Sequence, residues 1–147
     1  MTQERPNAFR LAILDDYQKV ALASADWDSL PPSTSVDVFH DNIKDRDALV
    51  ERLKAYDILV IMRERTPFPR ALIERLPNLK LLVTTSVRNR SIDLAACADR
   101  GITVCNTEGG STPTAELAWG LILALAKRIP EEDRGTREGH WGVRMGK

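Results

Sequence analysis

A chain of 147 residues is one domain's worth of polypeptide, and at that length about two-thirds of the surface of the unfolded form can be buried. Hydrophobic residues at 43% supply enough apolar material to offset chain entropy, which excludes a disordered chain. The 21 basic residues cancel the 21 acidic ones, so the charge carries no footprint of nucleic acid or of an anionic membrane. Two cysteines, Cys97 and Cys105, stand outside any C-x-x-C spacing; a zinc or disulfide framework is excluded and a reducing cytoplasm is the expected compartment. The opening MTQERPNAFR lacks the apolar stretch of a secretory signal. The uncharged run from Leu117 to Ala126 is ten residues, against the roughly 18 to 20 that cross a bilayer, so no membrane span is expected.

Strand and helix patterns alternate along the chain. Residues 11–14 (LAIL) form a short continuous apolar run, as in a strand buried on both faces, and residues 35–39 (SVDVF) alternate as a second strand nearer an edge. Between 45 and 55, Leu49, Val50 and Leu53 recur at helical spacing, with Asp45 and Asp47 at the positive end of the helix dipole. A third strand is read at 58–62 (ILVIM). Thr66-Pro67 then reads as a cap followed by proline in the first helical position, ahead of Leu72, Ile73 and Leu76. The fourth strand falls at 79–84 (LKLLVT); Ser91 is the predicted cap of a helix over 92–99, with Gly101 in the left-handed cap position. The fifth strand is 102–105 (ITVC). Thr112-Pro113 repeats the cap-plus-proline device before a long helix from Thr114 to about Arg128, whose apolar residues leave no polar stripe, so a second domain or a partner subunit is expected to cover it. From residue 130 the glycine-containing, charged stretch PEEDRGTREGHWGVRMGK reads as a linker. The predicted fold class is α/β: a flavodoxin-like open parallel sheet of about five strands, order 2-1-3-4-5, with helices on both faces and a long apolar C-terminal helix.

Open α/β sheets bind ligands beyond the carboxyl ends of their strands, so the residues after each strand are the candidates. From Asp15 to Asp57 there are ten acids and five bases, whereas from Arg63 to Arg100 there are eight bases and four acids. Arg63, Arg65, Arg88 and Arg90 follow strands three and four, and the guanidinium fork suits carboxylate or phosphate. A small-anion site is one reading; solvated arginines paired with Glu64 or Asp93 are the other. Asp15-Asp16 with Thr84 has the outline of a receiver-domain phosphorylation site, but Met62-Arg63 stands where the acceptor aspartate is needed, and Asp57 precedes the strand. His40 and His140 read as loop histidines, and Cys97 and Cys105 as small core residues. No G-x-S-x-G, P-loop or G-x-G-x-x-G occurs; Gly109-Gly110 comes closest, without the third glycine. No catalytic or metal-ligating residue is nominated.

The segment 100–126 (RGITVCNTEGGSTPTAELAWGLILALA) resembles the D-isomer-specific 2-hydroxyacid dehydrogenases, in which a "GI-V-N" strand leads to an Ala-Glu-Leu helix joining two domains. LKLLVTTSVRNRSIDLAA is similar to the strand, glycine-rich turn and "N-I-D-L" helix start of phosphoglycerate dehydrogenase-like members, and IMRERTPF to their "V-R-S-x-T" segment. The resemblance implies a flavodoxin-like substrate-binding domain over residues 1–112, an inter-domain and dimerisation helix over 113–129, and a linker over 130–147 toward a nucleotide-binding domain outside this sequence. It implies hydride transfer between NAD, with NADP as the alternative, and a 2-hydroxy or 2-keto acid, in a cytoplasmic homodimer joined through the helix from Thr114 to Arg128. The catalytic Arg, Glu and His of the family fall outside these 147 residues, so the chain alone is expected to be inactive. Carried over are Ser86 and Val87, whose turn holds the substrate carboxylate with Val87 bordering the nicotinamide, and Arg63, near the substrate. The sequence departs from the family where Ser86-Val87-Arg88 replaces Gly-x-Gly, Gly110 replaces asparagine and Arg90 replaces aspartate; side chains in the turn threaten its backbone conformation. The alternative function is a non-catalytic small-anion-binding or dimerisation module.

Overall fold

The computed structural model describes residues 9–109 and 112–142, and the chain divides into two compact units, Met1–Gly109 and Gly110–Lys147. In the first unit the apolar runs become five parallel strands: β1 (Arg10–Leu14), β2 (Ser35–Val38), β3 (Ile58–Ile61), β4 (Leu81–Thr84) and β5 (Thr103–Asn106). Their order is β2-β1-β3-β4-β5, as the strand–helix alternation predicts. The register places Ala12 between Asp37 and Leu59, and Leu82 between Leu59 and Val104.

Strand periodicity sorts side chains onto two unequal faces. On one, Ala12, Leu14, Leu59, Ile61 and Leu82 pack with Leu49, Val50 and Leu53 of α1 (Arg46–Leu53), Leu72 and Ile73 of α2 (Arg70–Ile73), and Ala96 and Cys97 of α3 (Leu94–Asp99). On the other, Leu11, Ile13, Ile58 and Val60 pack with Ala21, Trp27 and Leu30. The only regular structure in that connection is a pair of 3-10 turns, Ala21–Ala23 and Trp27–Ser29. Helices on both faces of the sheet were expected; within this unit the α-helices lie on one. The reason is legible in residues 15–34, where Pro31-Pro32 and scattered Asp and Ser residues leave no helical apolar period. At β5 the outer face stays open, so Thr103 and Cys105 are exposed. Cys105 is therefore not the core residue its strand position implied, whereas Cys97 on α3 is buried.

Two helix starts also move. Asp45, expected only as an acid at the positive end of the helix dipole, caps α1 by accepting from the Ala48 N–H at 2.8 Å. Thr66-Pro67 does not open α2, which begins at Arg70 after Pro69, and α3 is capped by Asp93 rather than Ser91. Gly101 takes the left-handed conformation expected of it, φ 66°.

In the second unit the single apolar helix expected from Thr114 to about Arg128, with a linker after it, is corrected to two helices. The 15-residue α4 (Thr112–Ala126) ends before Arg128, which is left-handed at φ 53°, and α5 (Ile129–Arg137) follows where a linker was read. Proline in the first turn of α5, Glu131 and Glu132 beside it, and Arg134 and Arg137 in the last turn all match the helix dipole. On α4, Leu117, Trp119, Leu121 and Leu125 are exposed. No helix among the described residues is long and apolar enough to cross a membrane. The Gly110 departure and the last five residues of the expected linker lie outside the described residues.

Candidate functional site

The crevice where strand order reverses, between β1 and β3, is the usual ligand position in such a sheet. Here the chain fills it with its own side chains. Asp15, buried and left-handed at φ 60°, accepts from Asn42 Nδ2 at 2.7 Å and from Thr66 Oγ1 at 2.7 Å; Asn42 Nδ2 also donates to Thr66 Oγ1 at 2.9 Å. Arg65 closes the top: it donates to the Asp15 carbonyl at 2.6 Å and to Gln18 Oε1 at 3.2 Å, and lies over the Tyr17 ring at 4.7 Å. Asp16 turns the other way and accepts from the Val20 and Ala21 N–H groups at 3.1 and 3.0 Å. Burial pushes its carboxyl up, but those two amides and the neighbouring His40 outweigh it and hold Asp16 below the ordinary carboxylate value. Both acids of the receiver-like pair are thus committed to local structure.

The receptive rim lies instead beyond β3, β4 and β5. Arg63 is exposed and left-handed, φ 55°. The following turn, residues 85–91, is held by side-chain brackets, beginning with Thr85 Oγ1, which donates to Met62 Sδ at 3.6 Å. Ser86 Oγ donates to the Arg88 carbonyl at 2.6 Å, and Asn106 Nδ2 to the Val87 carbonyl at 2.6 Å. Asn89 donates to the Arg63 carbonyl at 2.7 Å and to Thr84 Oγ1 at 3.0 Å, while its Oδ1 accepts from Ser91 N and Oγ at 2.9 and 2.6 Å. Ser86, Val87 and Arg88 all have negative φ, so this turn needs no glycine, and the conformational conflict expected from its side chains does not arise. The backbone N–H groups of Ser86 and Val87 donate to no acceptor among the described residues. Val87 lines two adjoining cavities, one of about 550 Å³ shared with Arg88, Arg90 and Val104, the other of about 330 Å³ shared with Asn106 and Glu108.

Of the four arginines read as one cluster, Arg65 belongs to the filled crevice, while the guanidinium groups of Arg63, Arg88 and Arg90 have no partner among the described residues. Pairing with Asp93 does not occur, because Asp93 caps Ala96 and lies 3.9 Å from Arg70. The described residues hold no group of three or more His, Cys, Asp or Glu able to bind a metal. Asn89 and the Asp15–Asn42–Thr66 network were not singled out from the sequence. The Asn-x-Ser spacing at 89–91, which favours a side-chain-closed turn, is the signal that could have found Asn89.

Fold and rim together define an open α/β domain with an amide- and arginine-lined edge at β3–β5. Residues 12–138 match the family model of the D-isomer specific 2-hydroxyacid dehydrogenase catalytic domain, and the chain belongs to that family. It is 38% identical over 97 residues to D-3-phosphoglycerate dehydrogenase of Archaeoglobus fulgidus, covering 65% of this chain and 18% of that one. It is 36% identical over 117 residues to glyoxylate reductase of Korarchaeum cryptofilum, covering 79% and 31%. The crystal structure of phosphoglycerate oxidoreductase from Vibrio cholerae superposes with a TM-score of 0.77 at 38% identity, covering 95% of this chain and 45% of that one. The chain thus spans less than half the length of each of these relatives.

Proposed function

We propose that this chain is the substrate-binding part of an NAD(P)-dependent D-2-hydroxyacid dehydrogenase and that it holds a 2-hydroxy or 2-keto acid at the turn after β4. The observation that carries this reading is the pair of N–H groups at Ser86 and Val87 that find no acceptor among the described residues, with the guanidinium groups of Arg63, Arg88 and Arg90 equally without a partner there. A carboxylate oxygen accepting from those amides would satisfy donors left open among the described residues, and Arg63 would add charge-assisted attraction. Bound nicotinamide would supply the hydride acceptor or donor. The exposed side chain of Val87, at the mouth of two cavities, fits one wall of such a ring site.

The remaining chemistry needs a general acid–base and a nucleotide loop. His40 is tied to the Asp16 carbonyl at 2.8 Å and His140 sits near Glu138, so neither is placed as that acid–base, and the described residues supply no glycine-rich phosphate loop. We assign those groups to residues outside this sequence, the compartment to the cytoplasm and the apolar face of α4 to a homodimer. On this division residues 1–112 bind substrate, 113–129 join domains and subunits, and 130–147 lead on. NADH oxidation with glyoxylate or hydroxypyruvate is expected to be absent for the 147-residue chain, while either acid shifts the Ser86 and Val87 amide resonances. Turnover by the chain alone would overturn the division of labour. Silent amides would favour a dimerisation module without a ligand.

A further inference from the structure

The turn after β4 and the end of β3 are separate stretches of chain, and both must keep their shape for one anion to touch both. The structure assigns this task to Asn89: we propose that it is the positioning residue that sets the Ser86–Val87 turn against the Arg63 backbone. The inference rests on the reading of Ser86 and Val87 as the carboxylate-binding amides.

Asn89 is half-buried and uses its full hydrogen-bonding capacity. Its orientation is fixed without ambiguity, because the Arg63 carbonyl can only accept and the Ser91 N–H can only donate. One half of the amide closes the local turn onto Ser91; the other reaches across 26 positions of sequence to Arg63, whose left-handed backbone is costly for a residue with a Cβ. The neighbouring bridge between Phe68 and Ile92, with Phe68 N to the Ser91 carbonyl at 2.8 Å and Asp93 N to the Phe68 carbonyl at 3.0 Å, anchors the chain just downstream. Between that anchor and β4, Asn89 is the side chain that holds the Arg63 backbone to the turn; nearer the strands Thr85 Oγ1 donates to Met62 Sδ at 3.6 Å, and Asn106 steadies the same turn from the β5 side. Where the family uses glycines, this turn is shaped by side-chain amides, and Asn89 couples its shape to Arg63.

The two halves of the amide can be tested apart. Asn89→Asp keeps an acceptor for Ser91 and loses both donors, whereas Ser91→Ala keeps the donors and removes one local bond. Amide spectra of the 147-residue chain are recorded during titration with glyoxylate. In the wild type the Ser86 and Val87 signals are expected to move, and the Glu64 amide, adjacent to the carbonyl that Asn89 holds, to move with them. Asn89→Ala and Asn89→Asp are expected to weaken binding about tenfold, the loss of roughly one well-made hydrogen bond, and to silence Glu64. Ser91→Ala is expected to stay within about threefold with the Glu64 response intact. A wild type in which Ser86 and Val87 respond, with unchanged affinity and Glu64 response in both Asn89 variants, overturns the positioning role alone. A wild type whose Ser86 and Val87 amides do not respond overturns the substrate reading, and the positioning role with it.

Discussion

Thr66 reads from the sequence as a helix cap and is found as the keystone of a buried polar network, so replacing it separates the two roles. Thr66→Val preserves shape and removes the hydroxyl that donates to Asp15 Oδ2 at 2.7 Å and accepts from Asn42 at 2.9 Å. Thr66 is 4% exposed and Asp15 1%, so water cannot readily replace the lost donor. A hydrogen bond to a carboxylate contributes about 1.5–3 kcal/mol, and stranding the oxygen in the interior puts the cost at the upper end, about 2–3 kcal/mol. At about 3–5 °C per kcal/mol for a chain of this size, the melting temperature should fall by about 6–15 °C. Thr66→Ser keeps the hydroxyl and gives up one methyl, about 1 kcal/mol. Calorimetric melting of the three proteins at pH 7 tests the point: Val is expected to melt well below Ser, and Ser slightly below wild type. A Val variant within about 2 °C of wild type, or a Ser variant as damaged as Val, would refute the network as a source of stability.

Acid should destabilise the fold through Asp16 and Asp57. At Asp57, as at Asp16, burial raises the carboxyl and is outweighed, here by Lys80 at 2.7 Å and the Arg10 N–H at 3.0 Å. With folded values depressed below the ordinary 3.8, the stabilisation is present above that pH and is lost as pH falls through the folded values. Urea midpoints should therefore hold from pH 7 to about 5 and drop below about 4, and equal midpoints at pH 5 and pH 3 would contradict this. A thiol reagent should titrate one cysteine, Cys105, in the native chain and both after unfolding, because burial and then Asp93 push the Cys97 thiol up. Two fast thiols in the native chain would place Cys97 wrongly. Leu125 is 82% exposed on α4. The proposed homodimer through α4 predicts that Leu125→Lys shifts the chain from dimer to monomer by light scattering, and an unchanged mass would contradict that proposal.

Strand order was legible because apolar runs, or for β2 an apolar alternation, recur along the chain with helical spacing between most of them at a short period. Asp45 was legible at a helix start as an acid suited to the positive end of the dipole, and the structure makes it the cap. Thr66-Pro67 and Ser91 carry the same local signal, yet neither hydroxyl caps a helix: Thr66 donates to a tertiary partner, Asp15, 51 residues away, while Ser91 closes the local turn onto Asn89, two residues back. The helix-cap pattern alone cannot show either competition. The two-helix ending was missed because glycines at 135 and 139 weighed more heavily than the charge order of α5. At the site, the residue types at Arg63, Ser86 and Val87 were visible from a resemblance to known sequences. The filled crevice at β1–β3 was not, since Asp15, Asn42 and Thr66 meet only when three connections come together. Arg65 looked like its neighbours in sequence and differs from them only in having a carbonyl and a tyrosine ring within reach.

The claim on which the functional account stands is that two amides after β4 await an anion. A titration of the 147-residue chain with hydroxypyruvate, followed by amide resonances, tests it directly. The account predicts saturable movement centred on Ser86 and Val87, lost at matched ionic strength when chloride replaces the acid. Movement centred on Asp15 and Thr66, or none anywhere, would contradict it.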